Sequence, residues 1–219
     1  MSRKPRPLIR DTESCRDDRL FIVACDDTYA PKQYFGFFKL PRIQVHVVPT
    51  PPDSNTCHAI DVLGRLKEVD HNDYDERWLL LDTDHYTQGA HLQGFTLALK
   101  QAREAGINVA LSKPCFEFWL LLHHVEGIAV AELPDAKAAE AKLRATLGGR
   151  YNKKRLQAYD FPLASVQQAC LQAEQLDLLH PQVIPSGNTS RVYQLWRAIV
   201  GCALPSQLPK ELQALHSVI

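Results

Sequence analysis

Acidic side chains directly follow two strongly apolar segments of this chain, as Asp26-Asp27 and as Asp82-Thr-Asp84. Side chains alternate along an extended segment, so Asp82 and Asp84 are expected on the same side. Carboxylates gathered in one place repel each other and need a cation or raised pKa values. Mg²⁺ or Mn²⁺ suits such a site, because these ions take oxygen ligands and are shared with substrate phosphates. The pattern predicts a divalent metal site with Asp26, Asp82 and Asp84 as ligands and catalytic residues.

A simpler interpretation of the same residues stays open. Asp often caps the N-terminus of a helix or forms a turn after a strand, and either role would explain a single Asp in this position. Two acidic clusters after two apolar runs favour the metal site.

The elements that would position these residues are short apolar runs alternating with helical patterns. This alternation predicts an α/β fold, with a mostly parallel sheet flanked by helices and extra C-terminal helices. In such a sheet the carboxyl ends of the strands share one rim, where ligands bind. The predicted strands are 20–25, 43–48, 78–81 and 107–111. The predicted helices are 31–40, 58–67, 92–104, 115–124, 134–147, 163–178 and 191–200.

The domain organisation follows from composition along the chain. We expect a basic flexible N-terminal arm at 1–18, one α/β domain at 19–204 and a short helical tail at 205–219. The length of 219 residues suits one domain with small appendages.

The charge balance and the cysteines limit the classes of protein to which this chain could belong. Lys and Arg number 25, as do Asp and Glu, so a nucleic acid would have to bind a local basic patch. The six Cys form no C-x-x-C pair and indicate buried free thiols in a reducing cytoplasm. No apolar stretch near the start predicts a signal peptide, and none has the length of a membrane span. We therefore expect a cytoplasmic protein without membrane contact.

Further candidate residues lie outside the two acidic clusters. Glu117 sits in the apolar segment Phe-Glu-Phe-Trp and is either a third acidic catalytic residue or the partner of a cation such as Lys113 or Arg191. The basic run Lys153-Lys154-Arg155, together with Arg191, is the candidate for nucleic-acid contact, although short basic runs are usually solvated. His123 is more typical of a core histidine than of a catalytic one.

The segment before the last long helix also has two interpretations. Ser186-Gly-Asn-Thr-Ser190 is able to cradle a phosphate with backbone N–H groups. The simpler interpretation, which we prefer, is that Thr189 or Ser190 caps the helix that follows.

Four stretches of the chain resemble the RloB-like proteins, also called the AbiLii type, of prokaryotic defence loci. The most specific is Ala110-Leu-Ser-Lys-Pro-Cys-Phe-Glu117-Phe-Trp-Leu-Leu-Leu-His123. The others are Ile22-Val-Ala-Cys-Asp26 through Tyr34-Phe35, Leu79-Leu-Leu-Asp-Thr-Asp84, and Pro185-Ser186 through Val192-Tyr193. The resemblance covers about residues 20–200 in the expected order.

This resemblance implies a Toprim-like fold. In that fold a Glu after the first strand and a later Asp-x-Asp bind Mg²⁺ and act on phosphodiesters. It also implies a nuclease-type role in anti-phage defence, often beside a defence-associated ATPase of the AAA or ABC type.

The sequence departs from the family pattern at its opening. The family's Glu-Gly is replaced by Asp26-Asp27, and a further family Glu falls at Pro31. Asp is one methylene shorter than Glu and reaches less far as a general acid or base. The departure therefore allows a catalytic activity that is weakened, retuned or lost.

Three functions remain open from the sequence. The first is a Mg²⁺-dependent, nuclease-like effector that acts on DNA or RNA. The second is a catalytically weakened or inactive adaptor that binds a partner ATPase or nucleic acid. The third is a small-molecule phosphoryl enzyme with an Asp nucleophile after the first strand. The chain has neither a G-x-S-x-G elbow nor a Walker A motif, so those hydrolase classes are not expected.

Overall fold

The centre of the fold is a five-stranded sheet in the order β2-β1-β3-β4-β5. The computed structural model describes residues 18–54, 57–84, 86 and 91–216, so the predicted basic arm, apart from Asp18, lies outside the described residues. The neighbouring pairs among β1 to β4 are parallel, and β5 joins β4 antiparallel. The expected α/β fold with a mostly parallel sheet is confirmed. The strands are β1 (Arg19–Cys25), β2 (Ile43–Val48), β3 (Glu76–Asp82), β4 (Asn108–Lys113) and β5 (Thr189–Ser190).

Helices cover both faces of the sheet, and extra helices follow β4 as predicted. Within the described residues they are α1 (Ala30–Gly36), α2 (Ala59–Glu68), α3 (His91–Glu104), α4 (Phe116–Leu121), α5 (Ala136–Thr146), α6 (Leu163–Leu178), α7 (Val192–Cys202) and α8 (Lys210–His216). The predicted helices at 31–40 and 115–124 are each shorter than expected. Leu212 and Leu215 of α8 are buried in the core, so this part of the C-terminal tail packs on the domain.

Two apolar cores, one on each face, follow from the alternation of side chains along the buried strands. Phe21 and Val23 of β1 pack with α1, α4, α6 and α7, whereas Ile22 and Ala24 pack with α2 and α3. The helix that links β1 to β2 and the helix that links β2 to β3 therefore lie on opposite faces. The strand order reverses between β1 and β3, and such a reversal leaves a crevice at the carboxyl ends of these strands.

The segment that precedes α7 differs from its prediction. Thr189 and Ser190 form β5 instead of capping the helix, and Arg191 occupies the N-cap position without a side-chain cap. The Ser190 hydroxyl pairs with that of Ser112 at 2.8 Å, and the Thr189 hydroxyl donates to the Ala173 carbonyl. Both hydroxyls are thus used inside the fold, and the predicted cap by Thr189 or Ser190 is wrong. The phosphate cradle of backbone N–H groups stays a prediction.

A buried hydrogen-bonded chain crosses the core at His123, which is a core histidine as expected. Tyr34 Oη lies 3.0 Å from His123 Nε2 and accepts from Trp196 Nε1, and His123 Nδ1 lies 2.7 Å from Ser165 Oγ. Ser165 in turn donates to the Pro162 carbonyl. All of these bonds are satisfied together when the neutral imidazole accepts at Nε2 and donates at Nδ1.

The burial of His123 predicts a defined loss of stability in acid. Burial lowers the pKa of His123 to about 3. In the unfolded chain the pKa of His123 is about 6.5. Below that pH the unfolded chain binds a proton that the folded chain does not bind, so stability falls as the pH drops. Between pH 7 and pH 5 this proton accounts for about 2 kcal/mol of unfolding free energy.

Urea unfolding of His123→Asn at the two pH values measures this contribution. The variant is expected to lose about 2 kcal/mol less than the parent between pH 7 and pH 5. His46→Asn, at an exposed position on β2, is the control and should follow the parent. An identical pH dependence in the parent and His123→Asn would contradict the neutral buried imidazole.

Candidate active site

The first acidic contact joins the ends of β1 and β3. Cys25 pairs with Leu80 in the parallel register, so Asp26 follows β1 beside the last residues of β3. Its Oδ2 atom accepts the backbone N–H of Asp82 at 3.0 Å. The two clusters that the sequence places after separate strands therefore meet, as the shared rim of a parallel sheet requires.

Burial and mutual repulsion perturb both of these carboxyl groups. Burial raises the pKa of Asp26 to about 7, against the opposing effect of the Asp82 N–H, and the charges of Asp27 and Asp84 raise it further. Burial also raises the pKa of Asp82, with added repulsion from Asp26 and Glu117. A bound cation would stabilise the ionised forms of these two neighbouring carboxyl groups, as it does in metal sites.

Asp27 has a structural role at the start of α1. Its Oδ1 atom accepts the N–H groups of Tyr29 at 2.5 Å and Ala30 at 2.9 Å. The simple interpretation of an Asp after a strand, as a turn former before a helix, therefore holds for Asp27. Its second oxygen stays available for a cation.

That cation is the ammonium group of Lys153. The Lys153 Nζ atom lies 2.6 Å from Asp27 Oδ2 and 3.1 Å from Glu117 Oε1. Tyr151 donates its hydroxyl to the same Glu117 oxygen at 2.8 Å. Glu117 thus has the ion pair that its burial demanded, although its partner is Lys153 and neither Lys113 nor Arg191.

The pKa values of this pair shift in the direction of mutual stabilisation. Burial would raise the pKa of Glu117, but the charge of Lys153 and the Tyr151 hydroxyl outweigh it, and the pKa lies below its ordinary value. Burial would lower the pKa of Lys153, but Glu117 and Asp27 outweigh it and raise the pKa. Lys153 and Glu117 are therefore charged at neutral pH.

Gln33 of α1 holds the segment that carries Lys153. Its side-chain Nε2 donates to the Lys153 carbonyl at 3.0 Å, and its Oε1 accepts the Leu156 N–H at 2.9 Å. A single amide side chain thus fixes both ends of the basic run against the helix that follows the Asp26-Asp27 turn.

These groups line a pocket of about 340 Å³. The acidic wall consists of Asp26, Asp27 and Asp82, and Lys153 lies at its side. The remaining wall comes from the regions that precede α2 and begin α3. It consists of Cys57, His58, Tyr86 and His91.

His58 and His91 were not predicted as site residues from the sequence. In the sequence, each of them is only a His at the start of a predicted helix. That position indicates a shared site only once α2 and α3 are known to begin near the same strand ends. Lys153, a predicted nucleic-acid contact, is paired with two carboxylates at the side of the pocket, and its contact with nucleic acid stays a prediction.

The other predicted basic residues take different positions. The Lys154 ammonium lies over the Tyr29 ring, 5.5 Å from its centroid, and Arg155 is exposed. Arg191 donates to Asp177 at 2.8 Å and to backbone carbonyls, including that of Val183. Lys154 and Arg155 directly follow Lys153, which lines the acidic pocket. The Arg191 guanidinium is bonded within the fold, and Arg191 lines another cavity.

The carboxylates present fit part of a divalent metal site. The charge of Asp84 raises the pKa of Asp26, but Asp84 does not line the pocket. Within the described part of the chain, no three His, Cys, Asp or Glu side chains form a ready-made metal cluster. Asp26 and Asp82 supply two carboxylates, which is sufficient for Mg²⁺ when waters and substrate phosphates complete its coordination. The metal stays a prediction.

Together, the fold and the pocket define an α/β protein with an acidic pocket at the switch point of its sheet. The family model of RloB-like proteins matches residues 21–199, and the chain belongs to this family. The matched region includes both acidic clusters, Glu117 and Lys153. Comparison with curated proteins and with solved structures gave no match. No helix among the described residues has the length and apolar character of a membrane span.

Removing the Lys153 ammonium should destabilise the fold. Lys153→Met leaves Asp27 and Glu117 without their cation, and we expect a loss of about 1–3 kcal/mol in unfolding free energy, since the lysine is partly exposed. Chemical denaturation at pH 7 measures it. Lys154→Met is the matched control and should stay within about 0.5–1 kcal/mol of the parent. Equal stability of the two variants would contradict the bridging role of Lys153.

Proposed function

We propose that this protein is a Mg²⁺-dependent effector of anti-phage defence that hydrolyses phosphodiester bonds in nucleic acid. The observation that carries the proposal is the approach of the Asp26 carboxylate to Asp82 in a pocket where the pKa values of both are raised. Membership of the RloB-like family supports the defence role. A defence-associated ATPase of the AAA or ABC type is the partner that the same resemblance suggests.

The residues divide into three roles under this proposal. Asp26 and Asp82 would hold the ion, and the charge of Asp84 would favour the protonated form of Asp26 when no ion is bound. Bound there, Mg²⁺ supplies Lewis-acid polarisation of the scissile phosphate and an acidified water. Lys153 pairs with both Asp27 and Glu117 and offsets one of their two negative charges, which leaves Asp26 and Asp82 as the carboxylates without a cation.

Contact with the nucleic acid is assigned to exposed cations beside the pocket. The protein has no net charge, so binding a polyanion requires a local patch. Lys154 and Arg155 directly follow Lys153 and are exposed. They are the proposed backbone contacts, and DNA and RNA are equally suitable partners for them.

The acidic pair is tested with conservative amides. Asp26→Asn and Asp82→Asn should each weaken Mn²⁺ binding by at least about tenfold, because each removes one anionic ligand. Both should abolish Mn²⁺-stimulated cleavage of DNA and RNA. Isothermal titration gives the affinity, and cleavage is followed on gels with purified protein.

Asp70→Asn, an exposed carboxylate that lines no part of the pocket, is the control and should match the parent in both assays. Circular dichroism establishes that each variant is folded. Parent-like Mn²⁺ affinity and cleavage in both Asp26→Asn and Asp82→Asn would refute the proposal.

One observation favours a second candidate, the catalytically inactive adaptor. Lys153 already occupies the position of a cation between Asp27 and Glu117, so part of the acidic cluster is satisfied without a metal. In this case the pocket is a scaffold, and the function is binding of an ATPase or of nucleic acid.

Lys153→Met separates the two candidates through its Mn²⁺ affinity. If Lys153 replaces a metal, the parent binds Mn²⁺ weakly and the variant gains affinity by at least about tenfold, because two carboxylates are released. If Asp26 and Asp82 hold the metal, the parent already binds Mn²⁺, and that affinity is lost in Asp82→Asn. Titration calorimetry on folded parent and variant gives both numbers.

A further inference from the structure

The histidine wall of the pocket has no assigned task in the proposed chemistry. His58 is the N-cap residue of α2, in extended backbone conformation, and His91 is the first residue of α3. The two rings stack, with centroids 5.4 Å apart and planes inclined by 15°. Both residues line the cavity that holds Asp26 and Asp82. Two imidazoles from separate helices thus share one cavity with the acidic pair.

Neither imidazole is used elsewhere in the described part of the chain. Their rings have no hydrogen bond or ion pair there, and both residues are exposed. The neighbouring Tyr86 hydroxyl donates to the Cys57 carbonyl, which anchors the backbone just before His58. The rings therefore stand on a fixed backbone with ring nitrogens available to a ligand.

The charges of the pocket decide which ligand suits these nitrogens. Asp26, Asp27 and Asp82 repel an anion, and the Lys153 ammonium is already paired with two carboxylates. Among the residues that line the pocket, the imidazoles are the remaining N–H donors of the kind that bind phosphate oxygens. A phosphate with its cation would place the cation on the acidic wall and its oxygens on the imidazoles.

We propose that His58 and His91 together form the phosphate-binding side of this pocket. The inference deepens the proposed function and rests on it, since it names the groups that receive the phosphate ester of the nucleic acid. The imidazoles donate to non-bridging oxygens, and the stacking keeps the two rings in one arrangement. A purely structural stack between α2 and α3 would influence stability and leave phosphate binding unchanged.

The test uses inorganic phosphate as the probe, in the presence of Mg²⁺. Imidazole signals of the folded full-length protein are followed by two-dimensional NMR and assigned with His58→Ala and His91→Ala. We expect the His58 and His91 signals to shift in a saturable manner, while that of exposed His46 stays in place. Absence of a saturable shift at both His58 and His91 would overturn the proposal.

Affinity provides the second readout. The double variant His58→Ala/His91→Ala should bind phosphate at least about tenfold more weakly, which corresponds to the loss of hydrogen bonds to a charged group. His46→Ala is the matched control and should bind like the parent. Unchanged affinity in the double variant would overturn the inference even if the variant is less stable.

Mn²⁺ titration keeps this inference separate from the proposed function. The double histidine variant should retain Mn²⁺ affinity within about threefold, because the acidic pair is intact, whereas Asp82→Asn should lose it. Retention of Mn²⁺ affinity by Asp82→Asn would count against the metal site alone. Retention of phosphate affinity by the double histidine variant would count against the histidine site alone.

Discussion

The hydrogen bond from the Asp82 backbone to the Asp26 carboxylate is the contact on which the site depends. It exists because β1 and β3 are parallel neighbours in register and end together, so one side chain reaches across to the next strand. The same pairing of strand ends brings two carboxyl groups into one buried region, and burial raises the pKa values of both, although the Asp82 N–H by itself lowers that of Asp26. The pocket, its electrostatics and any cation in it follow from this pairing of strand ends.

The departure from the family opening is accommodated by the fold. The short Asp26 side chain still reaches the Asp82 N–H, so a Glu is not needed to bridge the two strands. Pro31 lies in the first turn of α1, where a fixed φ and a missing N–H are tolerated. Asp27, in place of a glycine, bonds to the N–H groups that begin α1 and pairs with Lys153. Asp26 and Asp27 thus place two carboxylates at this turn, one bonded to β3 and the other to the start of α1.

Much of the fold was predictable from sequence because buried parallel strands are continuous apolar runs. β1, β3 and β4 have this pattern, whereas β2, at the edge of the sheet, alternates between apolar and polar residues. α6 was predicted to its last residue. β5 was missed because its two residues, Thr189 and Ser190, are polar and become a strand only by pairing with β4. The convergence of Asp26 and Asp82 was also predictable, since it follows from the rim rule for parallel sheets.

The rest of the site depends on tertiary contacts that no local pattern records. Lys153 meets Asp27 from 126 positions away in the chain, and its approach is set by Gln33. His58 and His91 meet only because α2 and α3 begin near the same strand ends. Glu117 was left as either a catalytic residue or the partner of a cation, and its pairing with Lys153 could be read only from the packed structure.

Anomalous X-ray scattering from crystals soaked in Mn²⁺ tests the central claim most directly. We expect a Mn²⁺ peak inside the pocket, with carboxylate oxygens of both Asp26 and Asp82 within direct coordination distance of the ion. A pocket without Mn²⁺ at a concentration that saturates the protein in solution, or an ion bound away from both carboxylates, would contradict it.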